Sequence, residues 1–88
     1  MIEKVYVLTS MQDYELYIPF VFTTLELAQK AMGILHQDRL NTIAIPHEKY
    51  DSEVKDNEAH IWLYDDCGVI EIGMKWEITE CDVVDELI

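Results

Sequence analysis

The stretch AHIWLYDDCGVIEIGMKWEITECDVV, residues 59–84, decides the fold. Its first seven residues, AHIWLYD (59–65), are dense in apolar, aromatic and β-branched side chains, the composition of a strand. His60 opens that strand on the same side as Trp62. DDCG (65–68) is a turn signal, because Gly68 can take a positive φ at no steric cost. VIEIG (69–73) returns as the hairpin partner, and Gly73 permits a bend or bulge. KWEITECDVV (75–84) either continues that strand or forms a further one. Trp76 and Ile78 share one face, and Lys75, Glu77, Thr79 and Cys81 share the other.

Working outward, EKVYVLTS (3–10) has the pattern of a central strand, with Val5 and Val7 alternating with Tyr6 and Leu8. MQDYE (11–15) is a polar connection. LYIPFVF (16–22) predicts a second strand, paired with the first as a hairpin. Pro19 cannot donate to a ladder, so that strand belongs at an edge or carries a bulge. A helix follows. Thr23 and Glu26 fit a capping box, with Thr23 as the cap and Glu26 reaching back. Leu25, Leu27, Ala28, Ala31, Met32, Ile34 and Leu35 fill one half of the helical wheel. Asp38 and Arg39 would land on that apolar half, so the helix is expected to end, or to turn off the sheet, near residues 36–40. Residues 41–58, NTIAIPHEKYDSEVKDNE, are expected to be irregular, with Pro46 as a breaker and DSEVKDNE as an acidic loop. The order β-β-α-β-β predicts a single α+β domain over residues 1–88, an antiparallel sheet of four to five strands with one helix on one face.

The chain of 88 residues carries 18 acids and 6 bases, for a net charge of −12. Residues 1–47 hold five acids and three bases, and residues 48–88 hold thirteen acids and three bases. Such a field repels nucleic acid and anionic membranes and attracts basic surfaces. Solubility alone is the plainer use of it. No apolar run approaches the roughly 20 residues needed to span a bilayer. The opening MIEKVYVLTS has a strand's alternation rather than a signal peptide's run. A reducing cytoplasm is the expected compartment, with Cys67 and Cys81 as free thiols.

Catalytic chemistry finds little support. His36 sits at the border of the helix's apolar face, His47 follows Pro46, and His60 belongs to a strand. His60, Cys67 and Cys81 match no zinc spacing. Ser10, Ser52 and the cysteines lack a supporting base. The three glycines, at 33, 68 and 73, form no phosphate loop. DSEVKDNE lacks the central glycine of a calcium loop. No enzyme, cofactor or metal is expected.

Binding is the alternative. Tyr6, Tyr14, Tyr17, Trp62, Tyr64 and Trp76 are too many large aromatics for one thin core. Tyr6, Tyr17, Trp62, Tyr64 and Trp76 are candidates for an exposed sheet face that binds a partner or a second copy.

KVYVLTS (4–10), VFTTLELAQKAM (21–32) and WEITECDVVDEL (76–87) resemble the opening, helix and closing strand of small uncharacterised α/β proteins of phages and prophages. The resemblance implies a phage-like origin and no catalytic residue. It sharpens an acidic-surface candidate: Asp51, Glu53, Asp56 and Glu58, then Asp65 and Asp66, then Glu77, Glu80, Asp82, Asp85 and Glu86. The expected function is a protein-interaction module. The alternative is an acidic nucleic-acid mimic that inhibits a basic host nucleic-acid-binding or defence protein. Mimicry requires the acids to line one continuous stripe.

Overall fold

The computed structural model describes residues 2–13 and 15–84. In chain order the elements are β1 (Ile2–Gln12), β2 (Glu15–Leu16), β3 (Phe20–Phe22) and α1 (Leu25–Arg39). A π-helical turn (Leu40–Ala44), α2 (Ile45–His47), β4 (Tyr50–Val54), β5 (Glu58–Tyr64) and β6 (Ile70–Val84) follow. The six strands form one antiparallel sheet in the order β2-β1-β6-β5-β4, with β3 also paired to β1. The architecture is α+β.

The 69–84 segment is one strand, not two. β6 pairs with β1 from Ile2↔Val84 to Gln12↔Met74 without a break. Its 15 residues, at about 3.3 Å each, account for the long axis of a body measuring 54 × 23 × 17 Å. Gly73 stays in register opposite Trp62, and the irregularity falls at Glu71, between the pairs Leu63↔Ile72 and Tyr64↔Ile70.

Pro19 acts as its chemistry requires. The expected strand 16–22 lies at the sheet edge and is broken there into β2 and β3. Met11 faces Leu16, whereas Leu8 faces Phe20, so the edge holds one more residue than β1 across this interval. The extra residue is a bulge around Ile18 and Pro19.

Alternation sorts the sheet into two faces. Leu8 of β1, Ala59, Ile61 and Leu63 of β5, and Met74, Trp76 and Ile78 of β6 are buried in the core with Ala28 and Met32 of α1 and Ala44. α1 touches β3, β1, β6 and β5.

Three expectations need correction. The helical cap is Thr24, not Thr23: the Leu27 N–H donates to Thr24 Oγ1 at 3.2 Å. The sheet has six strands rather than four to five, because the edge strand is split at Pro19 and residues 50–54 add one more. α1 itself ends at Arg39, within the expected interval, and the chain runs on as a π-helical turn. Buried positions recur every four residues, at Ala28, Met32 and His36, and an α-helix drifts by about 40° over each such step. The π-helical turn inserts extra residues, the Ile45 N–H reaches back to the Leu40 carbonyl, and Ala44 is buried. Asp38 and Arg39 stay exposed. Finally, residues 50–54 are a strand rather than a loop. Its five residues pair with β5 from Tyr50↔Leu63 to Val54↔Ala59. Ser52 and Glu53 are exposed, so the segment lacks the apolar signature of a strand and is held by its ladder.

His36 is buried, with Nε2 lacking a hydrogen-bond partner and its ring edge-on to Trp76 at 5.6 Å. Burial pushes its pKa below the ordinary histidine value, opposed by the His60 backbone. The unfolded chain takes up this proton near pH 6.5 and the folded chain only at lower pH, so stability falls as pH drops below that point.

Two outcomes are expected. Thr24→Ala should cost about 1 kcal/mol in urea unfolding, while Thr23→Ala should stay within about 0.5 kcal/mol. The stability of wild type relative to His36→Leu should decline from neutral pH to about pH 5, in unfolding curves taken side by side. The carboxylates are common to both chains and cancel.

Candidate functional site

The face of the sheet away from α1 carries Val5, Val7, Thr9 and Met11 of β1 and Gly73, Lys75, Glu77, Thr79 and Cys81 of β6. Glu58, His60, Trp62 and Tyr64 of β5 and Asp51 and Glu53 of β4 complete it, as the cross-strand pairs require. On this face lies a groove of about 420 Å³ lined by Met11, Asp13, Trp62, Ile70, Glu71, Gly73 and Lys75.

Gly73 organises the groove. A Cβ at this position would stand 2.7 Å from Trp62 Cζ3, so the indole lies against bare backbone. Asp13 holds the same residue from the other side. Its N–H donates to the Gly73 carbonyl at 3.0 Å, and its Oδ1 accepts from the Gly73 N–H at 2.9 Å. Asp13 takes a φ of 49° to do so, at the tight turn from β1 to β2. His60 stacks on Trp62, with centroids 5.0 Å apart and planes 24° from parallel. The bulge at Glu71 brings both Ile70 and Glu71 to the groove. The Tyr64 hydroxyl donates to Asp51 Oδ2 at 2.7 Å, and this bond, with burial and the Asp51 charge, raises the Tyr64 pKa.

The aromatic candidates therefore divide. Trp62 and Tyr64 lie on the open face. Trp76 does not: it is 4 % exposed beneath α1. Tyr6 also points to the helix side, packed against the core. Tyr17 sits at the edge bulge, its hydroxyl 3.5 Å from Gln12 Oε1. Tyr14 lies outside the described residues. The parity of β6, with Gly73 opposite Trp62, puts Trp76 on the other side of the sheet; counting aromatics did not reveal this.

The acidic candidates do not form one stripe. Asp51, Glu53, Glu58 and Glu77 share the open face, with Glu58 directly opposite Glu77. Lys55 reaches Glu53 at 3.7 Å and Glu58 at 3.5 Å, and Asp56 is in the exposed β4–β5 turn beside it. Glu80 and Asp82 occupy the opposite parity of β6, where Lys4 Nζ meets Glu80 at 2.7 Å. That hydrogen bond and the two carboxylate charges raise the Lys4 pKa. Asp65 and Asp66 stand at the β5–β6 turn. Asp65 Oδ1 accepts from the Cys67 and Val69 N–H groups at 2.9 Å each, which makes it the residue that shapes the turn. Asp66 pairs with Lys49 at 2.7 Å. Asp85 and Glu86 lie outside the described residues.

His47 is half-buried, its Nε2 2.7 Å from the Tyr64 carbonyl. Cys67 is exposed in the turn and Cys81 half-buried on β6, both as free thiols. Among the described residues no group of three or more His, Cys, Asp or Glu could hold a metal ion, and no helix is long and apolar enough to cross a membrane.

The chain matches no protein-family model, no curated protein and no solved structure.

Met11, Asp13, Ile70, Glu71 and Lys75 line the groove without standing out in the sequence. One signal was present: a glycine in a strand marks close approach by another group, and Trp62 is that group. Gly73→Val should cost about 1–3 kcal/mol through overpacking and should change the Trp62 fluorescence. In a Trp62→Ala background the same substitution should cost nothing or stabilise, because valine suits a strand better than glycine. A double-mutant cycle in urea checks both signs.

Proposed function

We propose that this chain is a non-enzymatic protein-interaction module whose open sheet face receives a basic segment of a protein partner. The observation that carries the reading is the Trp62 groove: an indole held against Gly73, on the face without a helix, among Asp13, Glu71 and Asp51. A tryptophan in a groove is the kind of residue that anchors interfaces. Its ring attracts a guanidinium or ammonium group, with about 0.5–2 kcal/mol gained as water is excluded. The net charge of −12 adds long-range attraction for a basic partner and speeds encounter. The phage-type resemblance makes a host protein in the bacterial cytoplasm the natural partner.

Mimicry of nucleic acid is the second reading. It is favoured by the four acids Asp51, Glu53, Glu58 and Glu77 on one face. Glu80, Asp82, Asp65 and Asp66 lie elsewhere and add little to such a surface.

Capture from a bacterial lysate at low and high salt tests the two. The module reading expects one partner, retained by the wild type and weakened at least about tenfold by Trp62→Ala. Mimicry expects a nucleic-acid-binding partner, indifferent to Trp62→Ala, lost on Glu58→Gln with Glu77→Gln and shed steeply by salt. A partner insensitive to all three changes would remove the open face from consideration.

A further inference from the structure

The sheet has two very different edges. β4, at one side, carries Asp51 and Glu53, and the acidic half of the chain begins just before it. The other side is mostly apolar, with Glu15 at the start of β2 as its acid. Residues 16–25, LYIPFVFTTL, are ten in succession without an acid or base, the longest such run in the chain. Their pairing partner, Val5–Gln12, is uncharged as well.

Large apolar side chains project from this edge. Leu16, Ile18, Phe20 and Val21 are exposed, Ile18 at 87 %. The neighbouring stripe of α1 continues the patch with Leu27, exposed, and Ile34, 61 % exposed. Between them Phe20, Phe22, Ala31, Ile34 and Leu35 line an apolar depression of about 210 Å³. The helix therefore buries only part of its apolar half. Leu16 and Val21 stand opposite Met11 and Val7 and so face the open side. That leaves Ile18, Phe20, Leu27 and Ile34 for one contact, on the order of 500 Å² per copy against about 800 Å² per partner in a standard complex: the size of a weak, concentration-dependent dimer.

Charge decides what covers this patch. A basic partner gains little from a side so poor in acids. A second copy gains from the same scarcity. Two chains of −12 each repel, and they meet at least cost where carboxylates are sparsest. Residues 16–25 carry none, with Glu15 and Asp38 at the margins, and pairing through this side leaves both β4 edges pointing outward.

We infer that the chain forms a symmetric dimer through the β2–β3 edge and the adjoining stripe of α1. Ile18, Phe20 and Ile34 of each copy pack against the other, related by a two-fold axis. The bulge at Ile18 and Pro19 removes the regular ladder from mid-edge, so side-chain packing rather than strand addition supplies the contact. The inference is independent of the Trp62 groove, which stays free in the dimer.

Sedimentation equilibrium of the full chain at low and high salt tests it. The mass should rise with concentration from 10.3 kDa to twice that value. Dimerisation should be stronger in high salt, where repulsion is screened. Ile18→Glu with Ile34→Glu should hold the chain at the monomer mass with unchanged circular dichroism and with the thermal midpoint that the wild type shows when dilute enough to be monomeric, since both side chains face solvent in the monomer. Trp62→Ala should dimerise as the wild type does. A wild type that stays monomeric in both salts would overturn the inference. So would a dimer untouched by the double substitution, one that dissociates as salt rises, or one abolished by Trp62→Ala.

Discussion

The molecule hangs on the pairing of β6 with β1. Eleven consecutive residue pairs join the two strands, and every other part of the fold is placed by reference to them. β5 adds to the opposite side of β6, β4 adds to β5, and the broken edge of β2 and β3 adds to β1. The ladder's last act is at Gly73, just beyond the final pair. There Asp13 replaces strand pairing with one backbone and one side-chain hydrogen bond. The same glycine admits the indole of Trp62. A single residue without a side chain thus closes the β1–β2 turn and shapes the groove on the far face.

Much of this was legible because burial imposes periodicity. The alternation of Met74, Trp76 and Ile78 against Lys75, Glu77 and Thr79 fixes β6, and the apolar half-wheel with its nearby threonines fixes α1. What escaped has a common cause: it is fixed by partners distant in sequence. β4 is exposed and mostly polar, and becomes a strand only because β5 offers a ladder. The π-helical turn answers a phase problem between the helix and the sheet beneath it. Thr24 rather than Thr23 caps α1, a shift of one residue that composition cannot resolve. The face of Trp76 follows from the register opposite β5. For the candidate site, Trp62 and Tyr64 were found by residue type, while Asp13, Ile70 and Glu71 required the turn and the bulge to be known.

The charge of −12 is less uniform than it looks on paper. Lys4, Lys49 and Lys55 each meet at least one carboxylate, and Asp65 is spent on backbone N–H groups. Exposed pairs of this kind add little stability, but they redistribute the field. Asp51, Glu53, Glu58 and Glu77 gather on the β4–β5–β6 side of the open face, whereas residues 16–25 carry no charge. The protein is electrically lopsided across the width of its sheet, and polarity of that kind orients a molecule as it approaches another.

The length of β6 has a consequence for how the protein moves through solution. A radius of gyration of 15.4 Å exceeds the roughly 12 Å of a round chain of this size. The long axis is more than twice either of the others. Rotation about it is fast and end-over-end tumbling slow, so relaxation of backbone amides will depend on how each N–H vector lies relative to β6. On a sizing column the monomer will travel with rounder proteins of greater mass, and elution alone will overstate its weight.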